Sequence, residues 1–376
     1  MVATKVVVYG LSTEGYSIAC QMAIKGADVF IVDESAHMAI SLKSEIAKTY
    51  PNVTSLKEDE PLLGVEPIDV AISHSEYLFF APRIRKMGQE AKMEIHSKFK
   101  DATAPMKKGS SVIYNLPTGI GGNNETISLL EHVTGLEMGK GISYFYYPLS
   151  KQTPQIIGSF NGKSDDKLAK LLETDKKGIK FVSISSAEIL HAIGILTQFA
   201  SLSSILEVCK FAQDSTTRND LVFTEYKDLF LDNMTNGLYD LRSLGTSVEG
   251  AGTMMYLVNG SIKGIEGYVK RLIDEIRSTL KKNELKASRT RVVLLWTQDS
   301  YEMRGDKIDM LNSLVTKLRD YIGDVEVHQG PGLDLFHSDK TTIVVACSKP
   351  DCDKIIKNGK DSDLIVIKTN PLCEIL

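Results

Sequence analysis

The chain is poor in cysteine. It has five, scattered as Cys20, Cys209, Cys347, Cys352 and Cys373. An odd, sparse set is not a disulfide framework, and reduced thiols in a cytoplasmic protein are the simplest expectation. The spacing of a metal site is also missing. Cys347-x4-Cys352 has no second pair, and His37, His74, His96, His132, His191, His328 and His337 do not cluster, so no metal is expected. A basic excess is absent too: 44 Lys and Arg stand against 48 Asp and Glu, a net charge of −4. No surplus cation remains to displace phosphate counterions, which argues against a nucleic-acid partner. The opening apolar run, residues 6–9, is too short for a signal-peptide core. No short internal repeat occurs. With 43% hydrophobic and 24% charged residues, disorder and low complexity are excluded for the whole chain. Charge is missing from residues 189–206, a length at the lower limit of a membrane span. His191, Thr197, Gln198, Ser201, Ser203 and Ser204 interrupt that stretch. It reads as a helix buried between subunits or in the middle of the molecule, with no membrane partner.

What is present begins with one readable unit. Residues 6–9 (Val-Val-Val-Tyr) predict a buried strand, followed by Gly10. Residues 16–25 carry helical spacing and end at Gly26, a good helix-terminating residue. Residues 29–32 predict a second buried strand, ending at Asp33. Strand, glycine turn, helix, strand, acid is the opening of a dinucleotide-binding Rossmann fold. The turn reads Gly10-x-Ser12-x-x-Gly15. Gly10 makes the tight turn and Gly15 permits close helix–strand packing. Ser12 stands where a glycine would let the backbone approach a pyrophosphate. Asp33 is placed to accept from a ribose hydroxyl, which favours NAD over NADP. The alternative is a vestigial Rossmann fold.

Strand–helix alternation continues. Helices are expected over 35–50, 83–104 and 126–133, and strands over 77–81, 112–116 and 142–147, which implies a mainly parallel sheet. Ser185 and Ser186 could cap a helix running to about Gln213. Residues 214–260 are mixed, with turns at Asn236-Gly237 and Gly245. Over 261–282 a helix is expected, because Ile262, Ile265, Val269, Leu272, Ile276 and Leu280 fall on one face. Residues 281–291 read as an exposed basic linker. Strands over 292–296, 325–327, 342–346 and 364–367 and a helix over 307–321 follow. The expected fold class is therefore α/β. It comprises an N-terminal Rossmann domain (1–180), a central helical dimerisation domain (181–285) and a smaller Rossmann-like C-terminal domain (289–376).

Residues 115–124 (Asn-Leu-Pro-Thr-Gly-Ile-Gly-Gly-Asn-Asn) are the most glycine-dense loop. They follow a strand and precede a helix, so their amides could face an anion or a nicotinamide, with Asn115 and Gly119 as cofactor contacts. The bland reading is a tight turn. Gly250-Ala-Gly252 is a second, less specific loop of this kind, with both glycines as candidate substrate contacts. His328 and His337 flank Gly330-Pro331-Gly332 in what reads as a solvated loop.

Taken in order, five segments resemble the UDP-glucose/GDP-mannose dehydrogenase family. Ala81-Pro82 looks like that family's strand ending in Thr-Pro, which makes Pro82 a cofactor-side residue. Val112-Ile-Tyr-Asn-Leu-Pro-Thr-Gly119 looks like its Ser-Thr-Val-Pro-x-Gly turn. Leu130-Glu-His-Val-Thr-Gly-Leu-Glu-Met-Gly-Lys140, leading into Tyr144-Phe-Tyr-Tyr-Pro148, is similar to the helix and strand that come next. Ser186-Ala-Glu-Ile-Leu-His191 looks like the start of its central helix. Residues 292–304 resemble the strand and Arg-bearing loop of its nucleotide-sugar domain. The resemblance implies a homodimer through the central helix. It also implies a cofactor, NAD in preference to NADP, and a nucleotide-sugar substrate oxidised at C6 through a cysteine thiohemiacetal.

The chain departs from that pattern where the chemistry resides. The stretch Gly245-Thr-Ser-Val-Glu-Gly-Ala-Gly-Thr-Met254 has no cysteine. The family's central-helix lysine falls on His191 and its asparagine on Ile195. Its glutamate falls near Leu149 and its loop lysine near Thr297, while its arginine is matched by Arg304. The four-electron oxidation is not expected. What remains is simple hydride transfer on a phosphate- or nucleotide-bearing substrate. His191 is the candidate proton shuttle, and otherwise a core or interface histidine. Arg304 is a candidate bidentate phosphate clamp, or else a salt-bridge residue. Two other readings stand: a non-catalytic nucleotide or nucleotide-sugar binder acting as a sensor or assembly subunit, and a divergent hydroxyacid-type dehydrogenase.

Overall fold

The computed structural model describes residues 3–376 except 60, 62, 87, 150–154, 174–177, 213–215, 218–219, 221–224, 249, 251, 333–334, 336–339 and 359–363. These residues form two compact units. The first comprises Met1–Gly194 with Thr246–Val248 and Asp299–Gly305, and the second holds the remainder.

In the first unit the sheet is built from β1 (Lys5–Tyr9), β2 (Asp28–Asp33), β3 (Met38–Leu42), β4 (Val65–Pro67), β5 (Tyr77–Phe80), β6 (Ser111–Tyr114), β7 (Ser143–Tyr146), β8 (Gln155–Ser159) and β9 (Ile179–Ser183), in the spatial order β4-β3-β2-β1-β5-β6-β7-β8-β9. The run from β2 to β7 is parallel. β3 and β4 are antiparallel additions at one edge, and β8 pairs antiparallel with β7 at the other. The strand order reverses between β1 and β5, which opens a crevice at their carboxyl ends. Central strands buried on both faces need continuous apolar runs, and β5 (Tyr-Leu-Phe-Phe) and β6 (Ser-Val-Ile-Tyr) are buried throughout. Beneath the crevice their aromatic side chains form a row. Tyr9 stacks on Phe80 at 5.6 Å and Phe80 on Tyr114 at 5.5 Å, while Phe99 meets Phe80 edge-on at 5.0 Å.

Some expectations need correction. The helix expected over 35–50 is a tight turn, then β3, then a short helix, Ser44–Thr49. His37 takes a left-handed conformation, φ 52°, that folds β3 back onto β2. Cross-strand pairing there overrides a periodicity that read as helical. Gly245 lies inside the helix Leu238–Ser247 rather than at a turn. The end of the helix expected near Gln213 falls outside the described residues, as does His337; the α-helix observed is Ile184–Val208.

The second unit carries the parallel strands β10 (Thr290–Leu295), β11 (Val325–His328), β12 (Thr341–Ala346) and β13 (Leu364–Lys368), ordered β11-β10-β12-β13. Trp296 is fully buried at the end of β10 and donates Nε1–H to Asp232 at 3.0 Å. The helix Thr253–Lys282 begins before the apolar stripe the sequence shows, at Gly252 with φ 55°. A Cβ at its Gly264 would lie 2.7 Å from Ser203, and Ser203 Oγ donates to the Ser261 carbonyl at 2.8 Å, so glycine permits this close helix crossing. The linker expected over 281–291 is shorter than its charge suggests: Thr290 already belongs to β10, and Arg291 is buried against Glu326.

The aromatic row is the packing on which the crevice floor rests. Phe80→Ala is expected to cost about 3–5 kcal/mol, the range for truncating a fully buried phenylalanine. A urea titration of both proteins measures it, and a change below about 1 kcal/mol would show that the row is not the floor's main support.

Candidate functional site

The crevice is built from the turns after β1, β2, β5 and β6. Gly10, with φ 117°, lies so close to the next turn that a Cβ would sit 2.3 Å from the Ala81 carbonyl oxygen. Gly15 is equally constrained, its Cβ position lying 2.8 Å from the Gly10 oxygen. Ser12 caps the helix Thr13–Ile24, accepting from Gly15 N–H at 3.0 Å and donating to the Ala81 carbonyl at 2.8 Å. Its hydroxyl is fully buried and makes both of these hydrogen bonds within the protein, which leaves no donor proton for a ligand. Pro82 is buried directly beyond this contact.

A helix start leaves amides without intrahelical acceptors, which is why it attracts phosphates. Here the Thr13 amide donates to the Tyr301 carbonyl at 2.7 Å, and the Thr13 hydroxyl bonds Asp299. Glu14 accepts from Met303 N–H at 2.8 Å. The start of the helix Gly122–Thr134 is engaged in the same way. The Glu188 carboxylate, only 4% exposed, accepts from Gly121 N–H at 2.9 Å, Asn123 N–H at 3.0 Å and Asn123 Nδ2 at 2.7 Å. The glycine-dense loop does present amides to an anion, but that anion is the protein's own. Ile120 N–H goes to Ser247 Oγ at 3.0 Å, and Gly119 takes the left-handed conformation, φ 73°, that the loop requires.

Asp33 ends β2 as expected, but it is 3% exposed. Its carboxylate accepts from Lys57 Nζ at 2.7 Å, Ser35 Oγ at 2.6 Å and Ser35 N–H at 3.0 Å. Burial pushes its pKa up, but these partners outweigh burial and lower it to about 2. Asn115 is also fully buried. Its Nδ2 donates to the Tyr147 carbonyl at 2.9 Å, and its Oδ1 has no hydrogen-bond partner among the described residues.

His191 lies one helical turn beyond Glu188 and is 7% exposed. Arg304 forms a backbone bridge with Ile84, and its guanidinium donates to the Leu149 carbonyl at 3.3 Å. Gly10, Ser12, Gly15, Asp33, Pro82, Asn115, Gly119, His191 and Arg304 all belong to the first unit. Gly250 and Gly252 belong to the second, exposed and at positive φ. Thr13, Lys57, Glu188 and Tyr301 escaped the sequence reading. Only Glu188 left a signal, as the last acid before the uncharged stretch.

All five cysteines are free, and burial pushes the thiols of Cys20, Cys209, Cys347 and Cys352 up, away from the reactive form. Among the described residues no group of His, Cys, Asp and Glu could hold a metal ion. Against a nicotinamide dinucleotide the crevice fits at one end only. The orphaned Asn115 oxygen could accept from a carboxamide N–H. The pyrophosphate end does not fit while the Thr13 amide is engaged by Tyr301.

No protein-family model and no curated protein matches the chain. Solved structures do. A UDP-D-ManNAc dehydrogenase from Pyrococcus horikoshii is similar over 91% of this chain and 88% of its own, with a TM-score of 0.62 and 15% identity. A UDP-glucose dehydrogenase from Pyrobaculum islandicum is similar over 98% and 94%, with a TM-score of 0.61 and 13% identity. The fold is that of the UDP-sugar dehydrogenases. The UDP-N-acetyl-mannosamine dehydrogenase Cap5O from Staphylococcus aureus agrees, with a TM-score of 0.57 at 13% identity over 92% and 88%.

The lowered pKa of Asp33 has a definite pH signature. A carboxyl more acidic in the folded than in the unfolded chain stabilises above its unfolded pKa, about 4, and loses that contribution as pH falls toward its folded value of about 2. Lys57→Ala is therefore expected to lower the urea midpoint at pH 5 to 7, with the difference from the parent protein closing below about pH 3. A difference that persists undiminished at pH 2 would mean that Lys57 stabilises by packing alone.

Proposed function

We propose that the protein is a Rossmann oxidoreductase of the nucleotide-sugar dehydrogenase type. It moves a hydride between a nicotinamide dinucleotide and a phosphate- or nucleotide-bearing substrate, without a thiohemiacetal step. The observation that carries the reading is the Asn115 Oδ1 acceptor, buried and without a hydrogen-bond partner among the described residues, at the carboxyl end of β6. A buried acceptor without a partner costs about 1–3 kcal/mol, and a carboxamide donor would relieve it. The solved structures of the same fold are UDP-sugar dehydrogenases, which supports a UDP-sugar as the substrate class proposed here. When bound, the dinucleotide supplies the hydride chemistry. Of the chain's own residues, His191 is assigned the proton shuttle. Sealing Asp33 beneath Lys57 removes the acid that would have favoured NAD, so NAD and NADP both remain candidates.

A second reading, a non-catalytic nucleotide or nucleotide-sugar binder, draws on a different observation. The amides that meet phosphate in such folds are already hydrogen-bonded within the chain, at Thr13 and at Gly121. A cytoplasmic location is proposed for either form.

We also propose a homodimer through the helix Ile184–Val208. That helix is long and apolar enough to cross a membrane by length and composition alone. Phe199, Leu202 and Leu206 on it are buried, whereas Ile189 and Ile193 are 48% and 57% exposed. An apolar helix with a second, uncovered apolar face suits a copy of itself.

Three measurements test these readings. Millimolar NAD or NADP is expected to raise the melting temperature, and turnover across a panel of UDP-sugars is expected to fall at least a hundredfold in His191→Ala, in line with the contribution of a proton-transfer group. Binding with no turnover in the parent protein selects the non-catalytic reading, and no binding of either dinucleotide refutes the oxidoreductase. Light scattering is expected to give a dimer that Ile193→Glu converts to monomer; a parent protein that is monomeric at micromolar concentration refutes the dimer.

A further inference from the structure

The segment Asp299–Gly305 follows β10 in the chain but packs into the first unit. Its contacts are directed at the crevice. The Tyr301 carbonyl accepts from Thr13 N–H, the Asp299 carboxylate from the Thr13 hydroxyl, and Met303 N–H donates to Glu14. On the opposite wall the Met303 carbonyl accepts from Ile84 N–H at 2.8 Å, and Arg304 pairs with Ile84. Arg85 Nη2 donates to the carbonyls of Ser300 and Glu302, both at 2.8 Å, and the Arg83 guanidinium lies 5.5 Å from the centre of the Tyr301 ring. Met303 is fully buried between these contacts. The segment is therefore bonded to the turn after β1 and to the turn after β5, the two sides of the switch point.

We propose that Asp299–Gly305 is an internal strap that closes the dinucleotide crevice, with the Tyr301 carbonyl holding the place of a pyrophosphate oxygen on the Thr13 amide. This rests on the oxidoreductase reading for the identity of the displaced ligand, but not for the strap itself. Thr13 is the first residue of its helix, so its amide has no acceptor within the helix. One donor cannot serve the Tyr301 carbonyl and a phosphate in full at once. The Asp299 carboxylate, on the hydroxyl of the same residue, would also repel a phosphate. A dinucleotide therefore binds only the open state. Its apparent dissociation constant is the intrinsic one divided by the open fraction, so a strap closed nine-tenths of the time weakens binding about tenfold.

The position of Thr13 makes the strap measurable without any ligand. Among the described residues the Thr13 amide donates to the Tyr301 carbonyl alone, so its hydrogen exchange reports the strap. Arg85→Ala removes the guanidinium that bonds the Ser300 and Glu302 carbonyls, and Asp299→Ala removes the carboxylate that bonds the Thr13 hydroxyl. In each variant, Thr13 exchange is expected to accelerate at least tenfold while β1 and β5 exchange as in the parent protein. The dissociation constants of NAD and NADP, measured by calorimetry, are expected to fall by a similar factor. Unchanged Thr13 exchange in both variants overturns the strap. So does weaker dinucleotide binding, which would make the segment part of the cofactor's own cradle. Accelerated exchange with no dinucleotide binding in any of the three proteins upholds the strap and refutes the oxidoreductase reading instead.

Discussion

The first unit depends on the approach of two turns. The Gly10 backbone lies against the Ala81 carbonyl, and Ser12 hydrogen-bonds that same carbonyl from the other side. No side chain larger than hydrogen fits at Gly10, and the buried Ser12 hydroxyl must find both an acceptor and a donor. It finds Ala81 and Gly15, which joins the start of the helix Thr13–Ile24 to the end of β5. The crevice exists because these two strand ends are held in contact while the chain turns away from each. Its floor is the aromatic row of Tyr9, Phe80 and Tyr114 on the same strands.

A second constraint governs what the crevice can do. Helix starts concentrate unsatisfied amides and positive potential. In a dinucleotide-binding fold that potential is directed at the ligand. Here the chain supplies partners of its own: the Tyr301 carbonyl at one helix start, the Glu188 carboxylate at another, and Lys57 with Ser35 on the acid that ends β2. Each satisfies a group that would otherwise be costly to bury. The Asn115 oxygen has no such partner among the described residues. Burial pushes the Cys347 thiol up, and His191 is buried one helical turn beyond Glu188.

Much of the fold was legible. Residues 6–33 announced strand, turn, helix, strand and acid in order, because a doubly buried parallel strand needs an unbroken apolar run and a tight turn needs glycine. β5, β6, β7 and the C-terminal strands were legible for the same reason. β3 was not. Its residues share their spacing with a helix, and only the edge of β2 makes them a strand. The linker was misjudged because Arg291 is basic, and nothing in its neighbours along the chain foretold burial against Glu326.

The candidate site divides along the same line. Local sequence was enough to specify the tight turn at Gly10 and the close packing at Gly15, since backbone approaches of this kind admit few residues. The partners of the polar groups were decided by tertiary structure alone. Thr13 and Tyr301 are separated by most of the chain, and Asn123 and Glu188 by 65 residues that include three strands; no periodicity encodes such pairs. Hydrogen bonding is short-ranged in space and indifferent to distance along the chain, so whether an amide faces a ligand or a neighbour emerges only once the chain has folded.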